Sequence, residues 1–279
     1  MRSDRLGVQA HCLRHRIAAA GLQAALDWVR QLGLGSIELV CFPGCRGNPW
    51  GDFGLASDLA PGQIKAALSE SGLHCPSVMV TEAELSPGRI ESTLAWVAAL
   101  GCSRVVLGAV HSVPPGARGA CFLERVYEHA RRCQSAGFHF VLHTQPELWM
   151  PARGPRPADA LLAALDTSLL RLEFDPTGAI LYGADPAEYL RQRPDAFYAM
   201  HLRDGARPDT PVPYLPADPL GAGGIDWKDL LDAAKLSSIE WFFLEMEVSD
   251  PNATRAALEQ SLAYLERNDF MTPFSRALA

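Results

Sequence analysis

Apolar residues in this chain fall into short, nearly continuous runs, separated by longer stretches where they recur every three or four positions. The runs are RLGVQAH (5–11), SIELVCF (36–42), CPSVMV (75–80), SRVVLGAV (103–110), FHFVLHT (138–144), LRLEFD (170–175), FYAMHLRD (197–204) and WFFLEMEV (241–248). Their lengths and their Val, Ile and Phe content predict eight strands. A strand with one wet face alternates apolar and polar residues. A continuous apolar run implies burial on both faces, as in a parallel sheet covered by helices. Between the runs, stretches such as AALDWVRQLGLG (24–35), SPGRIESTLAWVAALGC (86–102), ACFLERVYEHARRCQSAG (120–137) and WKDLLDAAKLS (227–237) carry helical spacing. Several of them stop at Gly, which tolerates the left-handed turn that ends a helix.

Eight strand–helix units in 279 residues, with no linker, repeat or low-complexity segment, predict an α/β fold. The expected architecture is a single-domain (β/α)8 TIM barrel over residues 1–279. A doubly wound sheet would want a Gly-rich phosphate fingerprint after its first strand, and this chain has none there. Pro- and Gly-rich stretches at 43–54, 112–119, 151–157 and 205–224 predict long loops after strands.

A barrel of this kind builds its site at the C-terminal ends of its strands. Those ends carry His11, Glu38 and His111, then His143, Gln145 and Glu147, Glu173 and Asp175, His201, and finally Glu245 and Glu247. Each alone has a structural explanation: a histidine bonded at a strand edge, an aspartate opening a turn before Pro176, a glutamate at a loop start. Together they say more. His143, Asp175, His201 and Glu245 end four successive strands and would converge on one mouth. Two imidazoles and two carboxylates form a mixed nitrogen and oxygen set suited to Mn2+, Zn2+, Co2+ or Fe2+ rather than to Ca2+ or structural zinc. Mn2+ is the expected cofactor, and Mg2+ is also compatible.

Composition narrows the partners. Apolar residues make up 48% and charged residues 20% of the chain, as in a soluble globular protein. A formal charge of −7 argues against a nucleic-acid partner bound through its phosphates. No apolar run reaches the roughly 20 residues that span a bilayer, and MRSDRLGVQA has no signal-type segment, so no membrane partner and a cytoplasmic location are expected. Seven cysteines, at 12, 41, 45, 75, 102, 121 and 133, lack paired spacing, which predicts free thiols rather than a disulfide framework. Cys41 and Cys45 are close, but no second Cys/His pair completes a zinc site.

At its strand ends the chain resembles the sugar phosphate isomerase/epimerase family of xylose-isomerase-like TIM barrels. The resemblance spans nearly the whole chain. It is carried by LEFDPTGAILYGADP, FYAMHLRDGA, PLGAGGIDWKDLLDAA, WFFLEMEV and SLAYLER. One branch shows an Asp ending strand six, HLKDG at strand seven, and a Gly-acid-Gly segment before the next helix. Here Arg203 takes the Lys position, and LGAGGIDW lacks the acid between its glycines. The resemblance implies Asp175, His201 and Glu245 as metal ligands, with His143 as the fourth. Where that branch has a second strand-five histidine this chain has Gln145, a substrate contact by its amide, while Glu147 is kept.

The resemblance implies a divalent-metal-dependent isomerase or epimerase acting on a sugar or polyol, through proton removal beside a carbonyl to a metal-stabilised enediolate. Related ketose epimerases use two glutamates, one on each substrate face. With His143 in place of one, a keto-sugar lyase or isomerase step is expected at least as readily as symmetric epimerisation. Glu245 is the expected base, with His143, Glu147, Glu38 or His111 as second proton carriers. Arg203 would bind an anionic substrate group or pair with Asp204, Asp175 or Glu173. Trp50 and Phe53 would form an aromatic lid or pack on the rim; Glu38 and His111 stand as further substrate contacts. A homo-oligomer is compatible with such a barrel. The alternatives are an endonuclease-type member of the superfamily, which wants a basic surface, or a non-catalytic barrel subunit.

Overall fold

Eight parallel strands hydrogen-bond in sequence order and the last closes on the first, so the sheet has no edge. The computed structural model describes residues 3–40, 59–109, 120–150, 156–206, 217–246 and 251–271. His111, Trp50, Phe53, Glu247, Cys41 and Cys45 lie outside the described residues. The strands are β1 (Ser3–Gln9), β2 (Leu34–Val40), β3 (Val78–Thr81), β4 (Arg104–Ala109), β5 (His139–His143), β6 (Leu170–Phe174), β7 (Phe197–Leu202) and β8 (Trp241–Leu244). Around them run α1 (Arg14–Gln31), α2 (Pro61–Ser71), α3 (Ile90–Leu100), α4 (Ala120–Ser135), α5 (Pro157–Ala164), α6 (Pro176–Leu181), α7 (Pro186–Gln192), α8 (Trp227–Lys235) and α9 (Pro251–Arg267). No helix among the described residues is long and apolar enough to cross a membrane.

Each expected apolar run overlaps a strand. The limits differ where a turn intervenes. The helical pattern expected through Gly35 stops at Gln31, because Leu34 already begins β2. β8 stops at Leu244, so Glu245 stands just past the ladder, although its N–H still donates to the Leu202 carbonyl at 3.2 Å.

Two apolar compartments result. The larger lies between barrel and helices and takes one face of every strand, for example Val105, Leu107, Leu142, Leu172 and Leu244. The smaller lies inside the barrel, where Val106, Val141, Ala199 and Phe243 pack with Tyr198 and Trp241. β7 carries an extra residue opposite β6: Leu172 pairs with Phe197, but Glu173 pairs with Ala199. This bulge lets Tyr198 and Ala199 both join the interior cluster. His201, two residues on, then shares the inward face of Ala199.

Candidate metal and active site

Above the inner apolar layer the side chains turn ionisable. His143 ends β5, Asp175 follows β6, His201 lies near the end of β7, and Glu245 follows β8. Donor atoms of His143, Asp175 and His201 lie within 4.8 Å of one another. Glu245 joins them through its Oε2, 3.0 Å from His201 Nδ1. The four strand ends therefore do bring these four side chains to one place.

Asp175 serves two purposes at once. One oxygen caps α6, accepting from the Thr177 N–H at 2.9 Å and the Thr177 hydroxyl at 2.6 Å. The other lies 3.7 Å from the Arg203 guanidinium, on the side of the cluster. Arg203 also donates to Glu245 Oε2 at 3.2 Å, so it bridges two acids within the site. Of its expected partners, Asp175 is found beside it. Asp204 is engaged elsewhere: it accepts from the N–H groups of Gly205, Gly221 and Ile225 and from Trp227 Nε1. That network explains the glycines of LGAGGIDW. Gly221 has φ +80°, and a Cβ on Gly223 would fall 2.3 Å from Asp204 Oδ1.

His201 is held from below by two carboxylates. Its Nε2 is 3.1 Å from Glu38 and 3.3 Å from Glu173, and both acids are fully buried. Ser77 donates to the other Glu38 oxygen at 2.7 Å. Glu38, expected among substrate contacts, thus lies beneath the mouth and supports His201. A carboxylate behind a metal-binding imidazole fixes the ring and its tautomer. Glu173, expected from the sequence as a partner for Arg203, faces His201. Its signal was parity, since it shares a strand face with Asp175 and precedes it by two.

On the opposite side His143 Nε2 is 3.2 Å from His201 Nδ1. The Gln145 amide nitrogen donates to the Gly108 carbonyl and sits 2.9 Å from His143 Nδ1. Gln145, half-buried, is thereby engaged with His143 and β4. Glu147 is exposed in a short 3-10 turn, Pro146–Leu148, past the end of β5. His11 lies in the turn after β1 (Ala10–Leu13), where burial first and Arg14 second push its imidazole down to about 4.

Burial sets the charges. It pushes the Glu173 carboxyl up to about 8, with Glu38 adding to the rise and His201 opposing it. Burial also opposes the charge on His201, but Glu173 and Glu245 outweigh it and hold the imidazole well above its ordinary value. For Glu245 burial is likewise overcome, by Arg203 first and His201 next, so its carboxyl stays well below the usual range. His143 goes down to about 4, through burial and then the neighbouring His201 charge. The cluster thus sets an ionised Glu245, a cationic His201 and a neutral His143 side by side.

The chain's architecture has close parallels among solved structures. A sugar phosphate isomerase/epimerase from Parabacteroides distasonis is 18% identical, with a TM-score of 0.73 over 97% of this chain and 99% of that one. The IolI protein, solved with a zinc atom, is 14% identical, with a TM-score of 0.69 over 98% and 100%. A probable 3-DHS dehydratase, AsbF of Bacillus anthracis, is 13% identical, with a TM-score of 0.65 over 95% and 99%. At such identities the likeness is one of fold. No curated protein matches the chain significantly. Residues 26–268 match the sequence pattern of the xylose isomerase-like TIM barrel, and the chain belongs to that family.

Proposed function

We propose that this barrel is a divalent-metal-dependent enzyme acting on a sugar or polyol, as an isomerase, an epimerase or a keto-sugar lyase. The observation that carries the reading is the convergence of His143, Asp175 and His201 within 4.8 Å, with Glu245 on the same imidazole nitrogen. The donor set fits a divalent ion. Four carboxyl groups, Glu38, Glu173, Asp175 and Glu245, face His201 and Arg203 as the cations among the described residues of the cluster, and the crowding shows in Glu173, which burial and then Glu38 push up to about 8. Buried charge of one sign is costly without a counterion. His143, Asp175, His201 and Glu245 would hold the ion, and Mn2+ or Zn2+ suits such a set.

A divalent ion held by these residues would supply Lewis-acid polarisation of a substrate carbonyl, which would make the neighbouring C–H more acidic. Glu245 is the base. Its side chain is 18% exposed, more than the other acids of the cluster, and Arg203 and His201 keep it ionised. It takes the proton and holds it beside the mouth. Arg203 positions Glu245 and Asp175 relative to each other. Glu38 and Glu173 orient His201, and Gln145 orients His143. Return of the proton at another carbon gives an isomer, return on the other face an epimer, and loss of a β-substituent a lyase product. His143 and Glu147 stand as second proton carriers, the latter from the rim, with His111 a third. His111 and Trp50 complete the proposed substrate contacts.

Two measurements test this. Metal analysis of the purified chain should find about one divalent ion per chain, with a rise in Tm on adding Mn2+. Keto-sugars incubated with the protein in D2O should gain deuterium beside the carbonyl, and E245Q should abolish the exchange. A chain that neither binds metal nor shifts in Tm sinks the proposal.

A further inference from the structure

Cys75 and Cys102 are far apart in sequence but occupy the same position before two neighbouring strands. In the β3–β4 register Val78 pairs with Val105, so each cysteine precedes its paired valine by three residues. Neighbouring strands run about 4.8 Å apart, within the roughly 4.4–6.8 Å Cα separation that a disulfide accepts. Both lead-ins are fixed. Cys102 follows Gly101, the left-handed cap of α3, and its N–H donates to the Val97 carbonyl at 3.3 Å. Cys75 follows His74, which bridges to Ser36 of β2 and donates to the Gly35 carbonyl at 3.0 Å.

The shared register sets the two thiols side by side, and Cys75 is the first cause that lowers the Cys102 thiol. Cys75 Sγ also lies 3.4 Å from the Ser77 carbonyl, and Cys102 Sγ accepts from the Arg104 N–H at 3.5 Å. Both are free thiols; Cys75 is partly exposed and Cys102 buried. Cys12 and Cys133 provide the contrast. Burial pushes each of those thiols up to about 12, which leaves them protonated and inert. Cys102 moves the other way, through Cys75 first, against its burial, with Arg104 helping.

We propose that Cys75 and Cys102 form a redox-active dithiol that closes reversibly to an intrachain disulfide by exchange with a low-molecular-weight disulfide such as oxidised glutathione. Cys75, the accessible sulfur, loses its proton and attacks one sulfur of the reagent. The reagent S–S bond breaks, a mixed disulfide forms on Cys75, and the first small thiol leaves carrying a proton. Cys102 then loses its proton and attacks Cys75 Sγ, which releases the second small thiol. Two protein thiols are oxidised and one small disulfide is reduced to two thiols. The pair sits at the N-terminal end of the barrel, opposite the mouth, and is independent of the proposed reaction there.

The test equilibrates the full chain in glutathione buffers of graded redox poise, quenches with an alkylating reagent and maps the peptides by mass spectrometry. Cys75 and Cys102 should lose alkylation together and appear as one linked peptide pair, lighter by two hydrogens. Both should return on reduction, while Cys12 and Cys133 remain thiols throughout. In C102S a glutathione mixed disulfide should accumulate at Cys75. The proposal is overturned if both cysteines stay alkylatable in oxidised buffer with native circular dichroism, or if either links to a different cysteine. Should C102S not fold, C75S decides by itself: Cys102 must then stay reduced, and its oxidation overturns the scheme.

Discussion

The two ends of this barrel both bury charge, and they treat it differently. At the N-terminal end the guanidinium of Arg171 donates to Glu240 at 2.8 Å, to the carbonyls of Phe197 and Ser238 at 2.6 Å, and to the Ser238 hydroxyl at 2.8 Å. Arg104 stacks on the opposite partner, its guanidinium 4.6 Å from the Tyr198 ring centre. These arginines keep 24% and 29% of their side chains in water, so solvent screens what the pairing leaves over. At the mouth the acids outnumber the cations, and apart from Glu245 their side chains are almost wholly out of water. Water screens that excess far less. A paired, wet cluster is a means of stability; a buried cluster with surplus charge of one sign is poised for a proton or a cation.

Substitutions can break this comparison, beginning at the mouth. E245Q should lower deuterium exchange by roughly 10²–10⁴-fold while the fold survives, the usual effect of losing a general base. Next in size is metal linkage. Mn2+ at about 100 times its Kd should raise the unfolding free energy by about 2.7 kcal/mol, read by denaturant titration with and without chelator. An R171A variant should keep that increment, because its lesion lies at the other end. E38Q should weaken metal binding by about 10- to 100-fold, measured by competition with a chelating dye, since it loosens the grip on His201 Nε2. Smallest is R171A itself, about 1–2 kcal/mol of stability by chemical denaturation, with metal affinity unchanged. Should R171A weaken metal binding as much as E38Q does, the two ends are one coupled system and the contrast fails.

How much of this was legible in the sequence follows the same division. The barrel was, because parallel strands buried on both faces read as continuous apolar runs, as VVLG and FVLH do. The convergence of His143, Asp175, His201 and Glu245 followed once the strands were in order. Glu38 under His201 did not, since β2 and β7 meet across the barrel and not along the chain, and only closure sets their heights. Arg203 kept several partners in sequence because the choice depends on where β8 stops. Asp204 read as part of an ionic strand end, yet it folds the following loop. The Cys75–Cys102 pair was hidden for a related reason: strand register, not sequence spacing, brings them together.

The Asp204–Asp218 bridge has a consequence for how such a barrel can change. Each residue donates its N–H to the other's carbonyl, at 3.1 and 2.9 Å, while Trp227 and three backbone N–H groups anchor the Asp204 side chain. The chain is therefore tied off on both sides of residues 207–216, one step past His201. Whatever is inserted or deleted between the ties, the strand that delivers His201 does not register it. Loop closure costs only about 0.6 kcal/mol per doubling of length. Strand-end chemistry and rim can thus diverge separately, with the loop free to be rewritten over a cluster of His143, Asp175, His201 and Glu245 that stays still.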